Sequence, residues 1–454
     1  MLTVGDIKKI TNGKLLQGNA STAIKGVSID SRRIQQKNVF VAIIGERFNG
    51  HDFIRTAIRK GAKALVVSKK LVCSEDIAVL RVKDTTKALG RIAAWHRSQF
   101  SIPVIAVTGS AGKTTTKELV ASILATRFKV LKNFKTENNQ YGVPLTLLKL
   151  NMSHQLVVIE LGTNQPGDIR WLAQIVRPTT VIFTNIGDSH LARLRNKRGV
   201  FNEKVQLINY MEEKGEIILN GDDRYLLNIS EKKARRKITR FGFGAKVDYK
   251  AHHVIVENNR RIHFQLRGRT FKINSPVKHN VYNALAAISC GLHHKIRYND
   301  MDSAFQRFQF RNARQEVIKN GRFWLIDDTY NANPLSLNSA LNTLDSLKIK
   351  GKKILVCADM LELGRQSKAL HQSAGRMIAG STVNAVVTIG HQAQYISQSL
   401  SRSDGNVNAF HYNNLKEVHR RLKSLYCPGD AVLVKGSRSM HMERTVNFLK
   451  THFK

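Results

Sequence analysis

Residues 104 to 117 read VIAVTGSAGKTTTK: an apolar run, a turn made of Gly109, Ser110, Ala111 and Gly112, then Lys113, Thr114 and Thr115 at the start of a helical pattern. No other stretch limits the fold of this chain so strongly. Val104 to Val107 has the unbroken apolar character of a buried strand, and Leu119, Val120, Ile123, Leu124 and Phe128 recur at helical spacing behind the turn. A strand that leaves through a glycine turn into a helix aims backbone N–H groups, and the positive end of the helix, at a phosphate. Lys113 is placed to reach a terminal phosphate, and the Thr114 hydroxyl to meet a metal ion. The strict G-x-x-x-x-G-K pattern fails, because Val107 stands where its first glycine belongs. The shorter G-x-x-G-K-T that remains takes its weight from the strand and helix on either side.

The same alternation continues. LVVIELG at 156 to 162 and TTVIFTNIG at 179 to 187 are each followed by helical sequence, which predicts a parallel sheet covered by helices, with ligands at the carboxyl ends of its strands. RFWLIDD, KKILVCAD, NAVVTIG and DAVLVKGS form a later series and predict a second doubly wound, Rossmann-like unit. Near the start, NVFVAII and KALVVS flank the helix-like FIRTAIRKGA, a small α/β unit. Residues 247 to 275 alternate like antiparallel strands and read as an appendage, ahead of the alanine-rich helix VYNALAAISCGL. A chain of 454 residues exceeds a single core. The reading is an α/β protein of three domains: 1–84, 85–312 with the phosphate loop, and 313–454.

Composition closes off other classes. The net charge of +40 is a footprint that nucleic-acid binding also leaves. Here the excess is spread as +9 over residues 1 to 84, +21 over 85 to 312 and +10 over 313 to 454. The densest runs, RLRNKR at 193 to 198 and KKARRK at 232 to 237, contain no aromatic residue and match no nucleic-acid module. A generally basic surface that attracts small anions is the expectation, with neither a nucleic acid nor a membrane as partner. No apolar stretch approaches the roughly 18 residues that span a bilayer, and the start lacks the apolar core of a signal peptide, so a soluble cytoplasmic protein is expected. Cys73, Cys290, Cys357 and Cys427 are far apart with no CxxC pair, which argues for small buried hydrophobes rather than a zinc site or disulfides.

Polar residues stand where strands should end. Glu160 closes LVVIE beside the phosphate loop, a usual place for a magnesium-holding carboxylate. His190 follows a neighbouring strand by a few residues, and on that evidence alone a surface or core histidine competes with a ligand. Asp327 and Asp328 end another strand and lead into TYNANP, where Asn331 and Asn333 offer amide groups suited to a peptide-like ligand. Asn-Pro is also a plain turn signal.

Together TGSAGKTTTKE, ENNQYGVPLTLL, VIELGTNQPGDI, TNIGDSHL, KHNVYNALAA, DDTYNANPLSL, ADMLELG and LVKGSRSMHMER resemble, in order, the Mur ligases of peptidoglycan synthesis. DDTYNANP and DMLELG resemble the branch that adds D-alanyl-D-alanine, and DSRR at 30 to 33 and GERFNGHDF at 45 to 53 extend the likeness into the first domain. The resemblance implies an N-terminal domain for the UDP end of the substrate, a central ATPase domain and a C-terminal Rossmann-like domain. It also implies a reaction. The carboxylate of UDP-N-acetylmuramoyl-tripeptide takes the γ-phosphate of ATP, and the amine of D-alanyl-D-alanine then displaces phosphate.

By motif, the resemblance implies that Lys113 holds the β- and γ-phosphates over the loop Gly109 to Thr115, and that Thr114, Glu160 and His190 bind Mg²⁺. Asn283, Arg314 and Asp328 match the ATP side, Ser31 and Arg32 the uridine diphosphate side. Asn138 and Asn139 match the muramoyl peptide side, and Tyr330, Asn331 and Asn333 the dipeptide side. Lys204 falls at the offset from His190 where the family carries a carbamylated lysine, and a monomer is implied. Small residues are usual where Arg193, Arg195, Glu203, Ala313 and Ala358 stand, and Ser439 and His441 interrupt a KGSRG-like ending. Lost glycines at such places suggest a lost left-handed backbone around Lys204 and Arg314. Two other readings stay open: a folylpolyglutamate synthase or another Mur ligase, which share the short loop, and a basic ATPase acting on nucleic acid.

Overall fold

Apolar runs of four to six residues become strands throughout the chain. The computed structural model describes every residue except 1, 72, 74, 75, 311, 312, 322, 403 to 406 and 454, so the expected boundary at 312 lies outside the described residues. The central sheet has seven parallel strands in the order Tyr249–Lys250, Lys237–Gly242, Glu216–Asn220, Thr180–Phe183, Val104–Thr108, Leu156–Glu160, Val130–Lys132. The chain enters this sheet in the middle, builds one side, then returns to build the other. The reversal leaves a crevice at the carboxyl end of Val104–Thr108, where the glycine turn sits.

Every residue of Val104–Thr108 is buried, as expected for a strand covered on both faces. On one face Leu119, Val120, Ile123 and Leu124 of helix Lys113–Leu124 meet Ala284, Leu285 and Ile288 of helix His279–His293. On the other face Val143, Leu147, Ile169 and Leu172 belong to an apolar cluster that continues through Leu191 and Leu194 to Leu337, Met360 and Leu363. That cluster joins the central unit to the third without a polar break.

The third unit is a six-stranded sheet in the order Glu316–Asn320, Phe323–Asp328, Ala431–Lys435, Lys353–Ala358, Ala385–Ile389, Asn408–Tyr412, parallel except for its first strand. The first unit holds a five-stranded sheet with Asn38–Val41 and Ala62–Val67 among its strands. Helix Thr85–Ser98 starts at its N-cap Asp84 and serves two cores: Leu89 and Ile92 pack in the first unit and Ala93 in the central one. The α/β architecture is the one the alternation implied.

Three details differ from the sequence reading. Tyr249–Lys250 lies inside the stretch assigned to the appendage yet joins the main sheet; only His252–Glu257, Arg261–Leu266 and Arg269–Ile273 form the separate antiparallel sheet. Strands Glu316–Asn320 and Asn408–Tyr412, which are partly polar edge strands, had no clear apolar signal. Cys290 and Cys357 are buried thiols, but Cys73 is half-buried and Cys427 is exposed. Among the described residues, no helix is long and apolar enough to cross a membrane.

Candidate functional site

The glycine turn is shaped by its neighbours before any ligand arrives. Gly109 has φ of 151°, and a Cβ there would lie 1.9 Å from Thr184 Oγ1, so only glycine fits. Thr184 Oγ1 donates to the Ala111 carbonyl at 2.6 Å, and Ala111 N–H donates to Asn185 Oδ1 at 2.8 Å. Ser110 N–H reaches the Asn185 carbonyl at 3.0 Å. The end of the adjacent strand therefore holds the loop open as an anion cradle. Lys113 folds over it and donates to the Gly109 carbonyl at 2.9 Å. Burial holds the Lys113 ammonium below its ordinary range, and Glu160 partly restores it.

Glu160 is 1% exposed and fully engaged. Its Oε2 accepts from Thr114 Oγ1 at 2.6 Å and its Oε1 from Asn138 Nδ2 at 2.6 Å, while Asn133 pairs with both backbone groups of Glu160 at 3.0 and 3.2 Å. Lys117, fully buried on the helix behind the loop, donates to the carbonyls of Asn133 and Lys135 at 2.8 and 2.9 Å. These bonds tie the phosphate loop to the segment that carries Asn138.

Lys204 is buried at 1% exposure and its ammonium makes no hydrogen bond or ion pair with the described residues. Burial, then the nearby Lys113 charge, drives its pKa well below the ordinary value; Glu203 and Glu160 oppose this. Glu203 accepts from the N–H groups of Gly167 and Ile169 at 2.9 and 2.7 Å and so caps helix Asp168–Val176. His190, at φ of 54°, is held through Nδ1 by Glu362 Oε2 of the third unit at 2.5 Å. Among the described residues, no three His, Cys, Asp or Glu side chains converge as a metal cage. Thr114 and Glu160 nevertheless form a hard oxygen pair that suits Mg²⁺ with phosphate oxygens and water completing its shell.

From the third unit, Asp328 meets Lys435 Nζ at 2.6 Å, and Lys435 also donates to the Asn331 carbonyl at 2.9 Å. Burial pushes the Asp328 carboxyl up; Lys435 and then Arg314 offset part of that. Asp327 points the other way and accepts from Thr329 Oγ1 at 2.7 Å, so the two adjacent carboxylates do not form one site. The Arg314 guanidinium lies 3.9 Å above the Tyr330 ring centroid. Asn333 is the N-cap of helix Pro334–Ser346: its Oδ1 accepts from Ser336 N–H at 2.8 Å. Asn331 Oδ1 accepts from Ala332 N–H at 2.9 Å.

Two cavities result. One of about 1180 Å³ is lined by Ser110, Ala111, Gly112, Lys113, Thr115, Asn138, Glu160, His190, Asn283, Arg314, Asp328, Tyr330, Asn331 and Asn333. Gly109, Thr114 and Lys204 are not on its wall; Thr114 and Lys204 are buried. The other, of about 1030 Å³, is lined by Ser31, Arg32, Asn138 and Asn139 with Phe40, Phe48 and Trp171. Arg47, Asn138, Gly162, Thr163 and Asn164 border both, so the two form a continuous path. Arg32 is paired with Asp30 at 2.9 Å, and Asn139 Oδ1 accepts from Tyr141 and Gly142 N–H at 3.1 and 3.0 Å.

Comparison with known proteins gives this layout a lineage. Three family models match in series: "Mur ligase family, catalytic domain" over residues 23–97, "Mur ligase middle domain" over 107–291, and "Mur ligase, glutamate ligase domain" over 313–438. The UDP-N-acetylmuramoyl-tripeptide–D-alanyl-D-alanine ligase of Bacillus subtilis is 33% identical across 98% of each chain, and that of Escherichia coli is 34% identical across 99% of this chain and 98% of its own. The chain belongs to the Mur ligase family. A crystal structure of MurF from Acinetobacter baumannii superposes on this Mur ligase with a TM-score of 0.90 at 30% identity, covering 99% of this chain and 98% of that one. MurF of Thermotoga maritima, solved in complex with ADP, gives 0.83 at 26% identity over 94% and 97%.

In this Mur ligase the lost glycines did not cost the left-handed backbone. Ala313 has φ of 52° and Arg195 φ of 69°, so side-chain-bearing residues hold the conformation under strain; Ala358 is not left-handed. Several site residues were missed in the sequence. His279 is half-buried on the cavity wall; its Nε2 is buried and lacks a partner among the described residues, and burial pushes its pKa down to about 4. Asn280 bonds Asn283 at 2.9 Å, and Asn283 in turn accepts from Thr116 at 3.1 Å. The spacing of Asn280 and Asn283, one helical turn apart, was an available signal. Arg47, Glu362 and Lys435 lie inside the quoted GERFNGHDF, ADMLELG and LVKGSRSMHMER stretches but were given no role, because each reaches the site from another unit or strand.

Proposed function

We propose that this chain joins D-alanyl-D-alanine to UDP-N-acetylmuramoyl-tripeptide at the expense of ATP, yielding the UDP-linked pentapeptide, ADP and phosphate. The observation that carries the reading is the continuous path from the phosphate cradle past Asn138 to the Ser31 and Arg32 cavity. It can seat a nucleotide at one end and a long nucleotide-linked acid at the other. Full-length similarity to ligases named for this reaction supports it.

A carboxylate has no good leaving group, and phosphorylation supplies one. The acyl carboxylate oxygen bonds to the γ-phosphorus of ATP as the bond to the β-phosphate oxygen breaks. The dipeptide amine then bonds to the acyl carbon, phosphate departs with the bonding pair, and the amine proton passes to solvent. Catalysis is chiefly positioning and charge neutralisation. The loop Gly109 to Thr115 cradles the phosphates and Lys113 follows the transferred group. Asn283, Arg314 and Asp328 hold the nucleoside side of ATP. Ser31 and Arg32 take the uridine diphosphate, Asn138 and Asn139 border the peptide stem, and Tyr330, Asn331 and Asn333 meet the dipeptide. Residues 1–84, 85–312 and 313–454 divide these roles as substrate, ATPase and closing domains, and a single copy of the chain acts in the cytoplasm.

Thr114 and Glu160, with His190, would hold Mg²⁺, which when bound neutralises phosphate charge. Lys204, buried and biased toward the neutral amine, fits carbamylation: its nitrogen adds to CO₂ and releases a proton, replacing an ammonium that has no hydrogen-bonded partner among the described residues with an anion near Glu160. The test is phosphate release from ATP and Mg²⁺ with the two substrates added separately and together. Release that requires both, with a pentapeptide product by mass, is expected. Release indifferent to both, or stimulated by nucleic acid, overturns the reading.

A further inference from the structure

Glu362 sits in the ADMLELG segment of the third unit, yet its contacts are with the central unit. Its Oε2 lies 2.5 Å from His190 Nδ1. A carboxylate has no proton to give, so in the neutral ring Nδ1 carries the hydrogen and Nε2 keeps its lone pair. The same loop is fastened by three further contacts. Ala192 N–H donates to the Glu362 carbonyl at 2.9 Å, Gln366 Nε2 donates to the Arg195 carbonyl at 2.8 Å, and Gly364 lies so close that a Cβ would stand 2.8 Å from Ala192 Cα.

The backbone makes the carboxylate conspicuous. Glu362 has φ of 62° and His190 φ of 54°; histidine, like asparagine, tolerates such left-handed values, whereas glutamate adopts them less readily. A glutamate kept in a strained conformation, at 2.5 Å from a histidine on the cavity wall, points to a task for its side chain. We propose that Glu362 is a positioning residue, carried by the third unit, that fixes the tautomer and orientation of His190 and so presents its Nε2 to the cavity only when the two units are docked. This rests on the reading of His190 as a site residue given above. It makes assembly of the site depend on docking through one hydrogen bond as well as through apolar packing.

The experiment compares wild type with Glu362→Gly, Glu362→Gln and Gly364→Ala, using ¹⁵N-histidine NMR of the full chain together with kcat and KM for ATP. Signals of His190 are assigned by their loss in His190→Gln. Glu362→Gly relieves the backbone strain and removes the carboxylate: an unchanged or higher Tm is expected, with loss of the Nδ1–H tautomer and a kcat lower by roughly 10- to 100-fold at little change in KM for ATP. Glu362→Gln retains an acceptor and restores most of both readouts. Gly364→Ala keeps the carboxylate but displaces the loop, and reproduces the glycine variant. A Glu362→Gly protein with the wild-type His190 tautomer and wild-type kcat overturns the proposal. If the wild-type chain shows no ligase turnover, the functional reading fails, and the tautomer comparison still decides the role of Glu362.

Discussion

The two ends of the substrate path are built on opposite plans. Around the phosphate loop nearly every polar group is already engaged: Thr184 and Asn185 shape the turn, Lys113 rests on its own loop, and Glu160 is held by Thr114 and Asn138. At the other end Arg32, in the 3-10 turn Ser31–Arg33, exposes 84% of its side chain with Asp30 as its only side-chain partner among the described residues, and Phe48 is 72% exposed. The first region is organised before its ligand arrives; the second is completed by it. Preorganisation suits the end where charge develops in the transition state, since donors already in place need no rearrangement. Looser loops suit the end that must admit and release a large substrate.

Three experiments break or sharpen that contrast. Lys113→Ala should lower product formation by roughly 10³-fold while the protein stays folded, read by steady-state turnover and circular dichroism; a loss below tenfold would mean that the loop is not the catalytic centre. Acid should act next on the preorganised end. His279, pushed down to about 4 by burial, stays neutral in the folded chain where the unfolded chain, at its ordinary 6.5, takes up a proton. More protons bind to the unfolded state between pH 6.5 and 4, so stability falls as pH drops through that window, by up to about 3 kcal/mol from this residue. Urea unfolding across that range should show a shallower fall in His279→Gln, and identical slopes would refute the assignment. The smallest effect belongs to the open end: Arg32→Ala should raise KM for the UDP substrate roughly 10-fold, as for one lost charge-assisted contact, with kcat and Tm unchanged. A fall in kcat instead would show that the open end also steers the chemistry.

The same contrast explains what could be read from the sequence. The phosphate loop was legible because strand, glycine turn and helix are local features, and Glu160 because it ends a strand next to that loop. The asparagines of TYNANP were legible as a polar cluster and those of ENNQYG only through the resemblance, but Asn333 spends its side-chain oxygen capping a helix and Asn139 spends its own closing a turn on Tyr141 and Gly142. Local turn chemistry and ligand binding leave the same signature at those positions. Lys117 was given no role in the sequence and is fully buried, donating to the carbonyls of Asn133 and Lys135. Its role exists only because two distant segments cross there. Glu203 stood out in the sequence only as a replacement for a small residue, and its value as a cap depends on where helix Asp168–Val176 begins. Arg47, Glu362 and Lys435 lie in quoted motifs, but their place at the site became visible only once separate units and strands were brought together.

The resting position of Lys113 bears on how binding energy is used. Its ammonium is already satisfied in part by the Gly109 carbonyl, so in the role proposed for it, meeting the phosphates of a resting nucleotide exchanges one oxygen partner for another. On the proposed reaction the gain grows as negative charge builds on the bridging oxygen that leaves with the β-phosphate. An interaction weak toward the bound substrate and strong toward the activated complex lowers the barrier without deepening the well in front of it.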